Sequence, residues 1–145
     1  WHNRDCPYVK KHYDSGNIPK LQRKYSKKGV TWLSVISSAK GKQGHVSGAD
    51  ADAQMKRDMA APSFVLFDED GKVGRAYGAK TTPHMYVIDP KGVLRYNGAI
   101  DSVPSADMAD IAGAEPWAAN ALDAVLAGKE VEKATTQPYG CSVKY

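Results

Sequence analysis

The chain has 145 residues, 42% hydrophobic and 25% charged, with 13 glycines and 8 prolines. That length suits one domain with a real core, and the usage excludes a disordered, collagenous or coiled-coil chain. No apolar run approaches the roughly 20 residues a membrane-spanning helix needs, and the net charge of +4 is too small to signal nucleic acid, so neither is an expected partner. Two cysteines, Cys6 and Cys141, are too few for a disulfide-stapled fold or a Cys-only zinc site. They leave one long-range disulfide, two structural thiols, or chemistry.

The positive charge is concentrated at the start. Residues 1–29 hold eight basic side chains against Asp5 and Asp14, so the other 116 residues sum to −2; most of these lysines read as a solvated helix face. Tyr8 to Lys28 reads as helical, broken at Asp14-Ser15-Gly16, restarted by Asn17 as an N-cap and closed by Gly29. Val30 to Ser37 reads as a strand apolar on both faces, which suits an internal parallel strand. A Lys/Gly-rich loop, Ala39 to Gly48, leads to a helix beginning at Asp50 with Met55 and Met59 one turn apart, then to a buried strand, Phe64 to Phe67. Asp68 to Gly71 is a turn, and Val73 to Tyr77 a short helix ending at Gly78. Met85 to Ile88 and Val93 to Ala99 form two strands joined by the hairpin connection Asp89-Pro90-Lys91-Gly92. Pro116 and Gly128 frame a last helix with Trp117, Ala121, Leu122, Val125 and Leu126 facing inward, and the tail from Thr135 to Tyr145 has no periodicity. This order of elements argues an α/β fold with a mixed sheet flanked by helices.

Candidate chemistry centres on Cys6. It directly precedes Pro7 at a helix start, where unpaired N–H groups and the positive end of the helix dipole favour an anion, and Arg4 and Lys10 are close in sequence. Such surroundings lower a thiol pKa, and the thiolate is the nucleophile. Cys141 follows Gly140 in the tail, where a thiol can swing; it is a candidate resolving cysteine, with a permanent disulfide, an unpaired thiol or an intersubunit bridge as the other readings. His12 and His84 are candidates to lie near Cys6 as imidazolium, while His2 and His45 read as surface residues. Trp1 reads as packing beside the Cys6 turn.

Cys6-Pro7-Tyr8-Val9 is similar to the active-site tetrad of the thioredoxin and glutaredoxin superfamily, with Val9 in place of the second cysteine, and Thr81-Thr82-Pro83 before a strand resembles that superfamily's cis-proline loop. The strings Trp1-His2-Asn3-Arg4-Asp5-Cys6-Pro7-Tyr8-Val9, Lys11-His12-Tyr13 and Pro138-Tyr139-Gly140-Cys141-Ser142-Val143-Lys144-Tyr145 resemble the peroxiredoxin-like redoxin branch, of alkyl hydroperoxide reductase and thiol-specific antioxidant type. The resemblance spans essentially the whole chain.

It implies a thioredoxin-like α/β fold in which the active-site cysteine follows a central strand. Only five residues precede Cys6, so the expectation is an N-terminally incomplete domain over 1–134, lacking its N-terminal strand or strands and showing an unfilled position in its sheet. Residues 135–145 are expected as a C-terminal tail carrying Cys141. The implied activity is a thiol-based oxidoreductase: the Cys6 thiolate attacks a protein or small-molecule disulfide or a hydroperoxide, Cys141 resolves the product, and an external dithiol reductant completes turnover. Pro83, through a cis bond to Thr82, would shape the substrate groove, an ordinary trans loop proline being the alternative; Trp1, Asn3, Pro7, Tyr8, Thr82 and His12 would support the site. Asn3 stands where a peroxiredoxin-type site places a threonine. No cofactor or metal is expected, a homodimer is left open, and an extracytoplasmic, periplasmic bacterial location rests on the resemblance alone. The competing function is a non-catalytic thioredoxin-fold metal carrier or adaptor using Cys6, Cys141 and His84.

Overall fold

Pro7 has no N–H to leave unpaired, so it opens a helix at no hydrogen-bonding cost. In the computed structural model, which describes residues 1–145, α1 (Pro7–Asp14) starts there with Cys6 as its N-cap residue. Gly16, in the left-handed region at φ 74°, turns the chain into α2 (Asn17–Ser26). Asn17 is therefore the first helical residue rather than the cap, and its amide instead reaches the ring of His12 (2.9 Å). Strand β1 (Leu33–Ile36) follows, then α3 (Gly48–Arg57), β2 (Phe64–Phe67) and α4 (Lys72–Tyr77). Helix α3 starts two residues before the expected Asp50 because the Ser47 hydroxyl accepts the Asp50 N–H as its cap. It also ends before Met59, so that side chain is 68% exposed while Met55 is buried. The remaining elements are β3 (Thr81–Thr82), β4 (Met85–Ile88), β5 (Leu94–Gly98), a 3-10 helix (Met108–Gly113), α5 (Trp117–Leu126) and β6 (Cys141–Ser142).

The strands make three pairs: β1 with β2 in parallel, β4 with β5 as an antiparallel hairpin, and β3 with β6 antiparallel. The main core joins α1, α2 and α5 to the hairpin through Cys6, Val9, Tyr13, Ile18, Tyr25, Val87, Tyr96, Ile100, Ala118 and Leu122. On α5 the small residues Ala118, Ala119 and Ala121 are buried with Leu122, whereas Leu126, expected inward, is 44% exposed. No helix is long and apolar enough to cross a membrane.

The expectation of an unfilled sheet position is met. Strands β1 and β4 do not pair with each other, and a cleft of about 290 Å³ runs between them, lined by Trp32, Leu33 and Val35 on one side and Met85, Tyr86 and Val87 on the other. Only the first two residues bridge it: the Trp1 nitrogen donates to the His84 carbonyl (2.7 Å) and the His2 N–H to the Val35 carbonyl (2.8 Å). The apolar pattern of Val30 to Ser37 therefore belongs to a strand with one neighbour. Strand β2, read as buried, is not: Phe64, Leu66 and Phe67 are all exposed, because β2 ends the β1–β2 pair and only Val65 packs on the small cluster of Ile36, Val46 and Ala51.

The tail is not the swinging segment its lack of periodicity suggests. The Thr136 N–H bonds the Asn97 carbonyl (3.2 Å), and its hydroxyl accepts the Ala99 N–H (3.0 Å). The Tyr139 hydroxyl donates to the Asp101 carboxylate, and Cys141 and Ser142 pair with Thr82 and Thr81 as β6. Beyond them the Val143 N–H bonds the Lys80 carbonyl (3.1 Å), the Lys144 carbonyl takes the Ala39 N–H (2.8 Å) and the Tyr145 hydroxyl reaches the Ala79 carbonyl (2.8 Å). A short irregular segment is ordered here by contacts distant in sequence, which carry no periodic signal.

Candidate active site

Three stretches meet at Cys6: the start of α1, the β3 loop and the tail. Asn3 shapes the approach, its side-chain oxygen accepting the Asp5 N–H (3.0 Å) and its carbonyl the Cys6 N–H (3.1 Å). The turn is packed so closely that a side chain on Gly44 would collide with Asn3. Cys6 itself is fully buried, and its thiol donates to the Thr82 carbonyl at 3.1 Å. The Thr82–Pro83 peptide bond is cis. Thr82 is also the strand partner of Cys141, and its hydroxyl donates to the Cys141 carbonyl (3.4 Å). One residue thus touches both cysteines. They are free thiols.

Burial pushes the Cys6 thiol up, but the Cys141 thiol, the Val9 and Cys141 backbone and the Thr82 side chain bond to the sulfur and bring it below its ordinary value. Cys141 moves the other way, to about 11, through burial and then through its bond to Cys6 and the charge that develops there. The pair is therefore divided into a sulfur that ionises first and one that keeps its proton.

The charged helpers expected from sequence are elsewhere. Arg4 points to Asp58 (2.6 Å) and Asp14 (3.3 Å), so hydrogen bonds rather than cations lower the Cys6 thiol. Neither His12 nor His84 supplies an imidazolium, since burial lowers each to about 4. His12 sits between Asn17 and Tyr139, with its Nε2 3.4 Å from the Tyr139 hydroxyl. His84 has Nδ1 accepting the Lys80 N–H (3.2 Å) and Nε2 facing Asn97 (3.4 Å). That engagement also removes it from the Cys6/Cys141/His84 metal set of the competing reading; no three His, Cys, Asp or Glu side chains converge as a metal-holding group. His2, read as a surface residue, is buried edge-on to Tyr13 (5.0 Å) because it starts the bridge across the cleft. His45 does reach the outside, where it pairs with Glu69 (3.0 Å).

Trp1 packs against Tyr77 (5.3 Å) and Tyr86 (4.9 Å), and its indole N–H donates to Ser37 (2.9 Å). Pro7 is exposed, and Tyr8 meets the ring of Tyr139 (5.8 Å). Sequence reasoning missed Tyr139, Gly140 and Asp101. The closing motif contained the first two, but their value depends on Asp101 and Thr82, which no local pattern connects to them. A side chain on Gly140 would run into the Thr82 carbonyl, so close is the tail to β3.

With this geometry in hand, the comparisons are specific. A family model described as Redoxin matches residues 1–114. The chain belongs to the Redoxin family. Two solved structures share the redoxin's fold over 99% of its length. One is an uncharacterized conserved protein from Geobacillus kaustophilus, with 26% identity and a TM-score of 0.78, of which the redoxin covers 73%. The other is a hypothetical protein from Sinorhizobium meliloti 1021, with 24% identity and a TM-score of 0.79, covered over 75%. No curated protein matches the chain. The fold is thus thioredoxin-like and mixed α/β, and the family is one of thiol-based redox function. Cys6 lies inside the family match and Cys141 outside it.

Proposed function

We propose that this redoxin is a thiol oxidoreductase in which Cys6 is the attacking thiolate and Cys141 the resolving thiol. The observation that supports it is the shared Thr82, hydrogen-bonded to the Cys6 sulfur and strand-paired with Cys141. With a disulfide RSSR, the Cys6 thiolate forms a mixed disulfide and expels RS⁻; Cys141, giving up its proton, then forms the Cys6–Cys141 bond and expels the second RS⁻. With a hydroperoxide ROOH, the thiolate takes the terminal oxygen and RO⁻ leaves as ROH after protonation. The resulting sulfenic acid condenses with the Cys141 thiol to a disulfide and water. In both cases an external dithiol is oxidised to its disulfide as the two thiols are restored. Pro83 and Thr82 form the wall against which the oxidant lies.

Treating the reduced protein with hydrogen peroxide or glutathione disulfide and mapping the products by mass spectrometry tests this. The expected product is a Cys6–Cys141 disulfide; Cys6→Ser abolishes oxidation, and Cys141→Ser halts it at the sulfenic acid or mixed disulfide on Cys6. Oxidation of Cys141 alone in the wild-type protein would remove Cys6 from the role of nucleophile.

A further inference from the structure

Thr81 and Thr82 offer a strand edge beside the nucleophile, the place where an extended polypeptide carrying a disulfide would pair in order to present its sulfur. That edge is already taken. Cys141 and Ser142 pair with it in register, and the Val143 N–H extends the pairing to Lys80. The strap is fastened on both sides of the thiol. Before it, the Tyr139 hydroxyl is bonded to the buried Asp101 and its ring lies against Tyr8; after it, Lys144 is bonded to Ala39 and Tyr145 to Ala79. Gly140 is what allows the close approach: its φ is 129°, and an added Cβ would collide with the Thr82 carbonyl oxygen. Beneath the strap Cys6 has no exposed surface.

We propose that residues 139–143 are a built-in strand plug that bars polypeptide disulfides from Cys6 and restricts the site to small oxidants, with Gly140 and Tyr139 as the residues that determine this specificity. The inference rests on the function proposed above and narrows its substrate class. A hydroperoxide needs no strand pairing: Cys6–S⁻ takes its terminal oxygen, ROH leaves with one proton, and the sulfenic acid meets Cys141 already in place, releasing water as the disulfide forms. The reducing dithiol then attacks the Cys141 sulfur, the less buried of the two, and Cys6 leaves as the thiolate.

The test compares wild type, Gly140→Ala and Tyr139→Phe in two assays on the full chain, oxidation by hydrogen peroxide and reduction of insulin disulfides by the dithiol-reduced protein. The readout is the ratio of the two rates. Gly140→Ala dislodges the strap sterically and Tyr139→Phe loosens its anchor; each is expected to shift the ratio toward insulin by roughly tenfold, the scale of losing about one hydrogen bond of competing pairing. Hydrogen exchange at the Ser142 and Val143 amides reports whether the strap has been released in a protein that is still folded. A strap shown to be released with an unchanged ratio would overturn the plug alone, as would wild-type protein that reduces insulin as fast as Gly140→Ala. Reactions that persist in Cys6→Ser would overturn the thiol reading as well.

Discussion

The two sides of this molecule are built on different terms. Around Cys6, every layer is closed: Cys6, Val9 and Tyr25 have no exposed surface, the Tyr25 hydroxyl donates to the Ala119 carbonyl (3.0 Å), and the tail covers the thiol. Across the cleft, β1 and β2 stand apart, Phe64 is 62% exposed, and buried His2 has no hydrogen-bond partner on either ring nitrogen. The same chain thus carries a closed thiol site and an open sheet edge. The groups that touch the thiol come from α1, the β3 loop and the tail, on the closed side alone.

The sharpest way to break that contrast is to truncate one aromatic residue on each side. Tyr25→Ala removes a buried ring and its hydrogen bond and is expected to cost about 3–5 kcal/mol, whereas Phe64→Ala should stay within about 0.5 kcal/mol. Urea denaturation of both variants checks this, and equal losses would show that the β1–β2 side is as tightly built as the other.

A smaller effect is expected at the tail anchor. Asp101→Ala deprives the Tyr139 hydroxyl and the Val103 N–H of their acceptor and should cost about 2 kcal/mol, with faster hydrogen exchange at the Ser142 and Val143 amides. Unchanged exchange would mean that β6 holds without the anchor.

The smallest effect, taken for one histidine over a half-unit step, comes from pH. His2 is lowered to about 3, and His12 and His84 to about 4, in each case mainly by burial, from an ordinary 6.5. Below pH 6.5 the unfolded chain binds protons that the folded chain refuses, so stability falls as pH drops from 6.5 toward 4 and is independent of these groups above 6.5. The expected slope is of order 1.4 kcal/mol per pH unit for each such histidine. Stability measured at half-unit steps, with His12→Asn as the reference, separates the His12 share on the closed side from that of His2 at the cleft. A flat profile would place all three rings in water.

Much of this was legible. The Cys6-Pro7 helix start, the Gly78 stop, the β4–β5 hairpin and the last helix are local events, written in capping residues and turn chemistry a few positions apart. The basic segment misled in two ways. Lys11 is buried with its amine near the Val103 carbonyl (3.4 Å), and Arg4 serves Asp58 and Asp14 rather than the thiol. Charge counted along a chain does not say which way a side chain turns.

The sequence by itself determined the position of Cys6 at the head of a helix, the Thr82-Pro83 loop and the α/β character, because each follows from residues that act on their near neighbours. Only the tertiary structure decided what surrounds Cys6. It laid an aperiodic tail across β3, paired Cys141 with the Thr82 that holds the Cys6 thiol, and left the cleft between β1 and β4. It also made His2, His12 and His84 neutral by burying them. Those outcomes depend on contacts between residues more than 120 positions apart, such as His12 with Tyr139, and on desolvation, neither of which leaves a mark on local sequence.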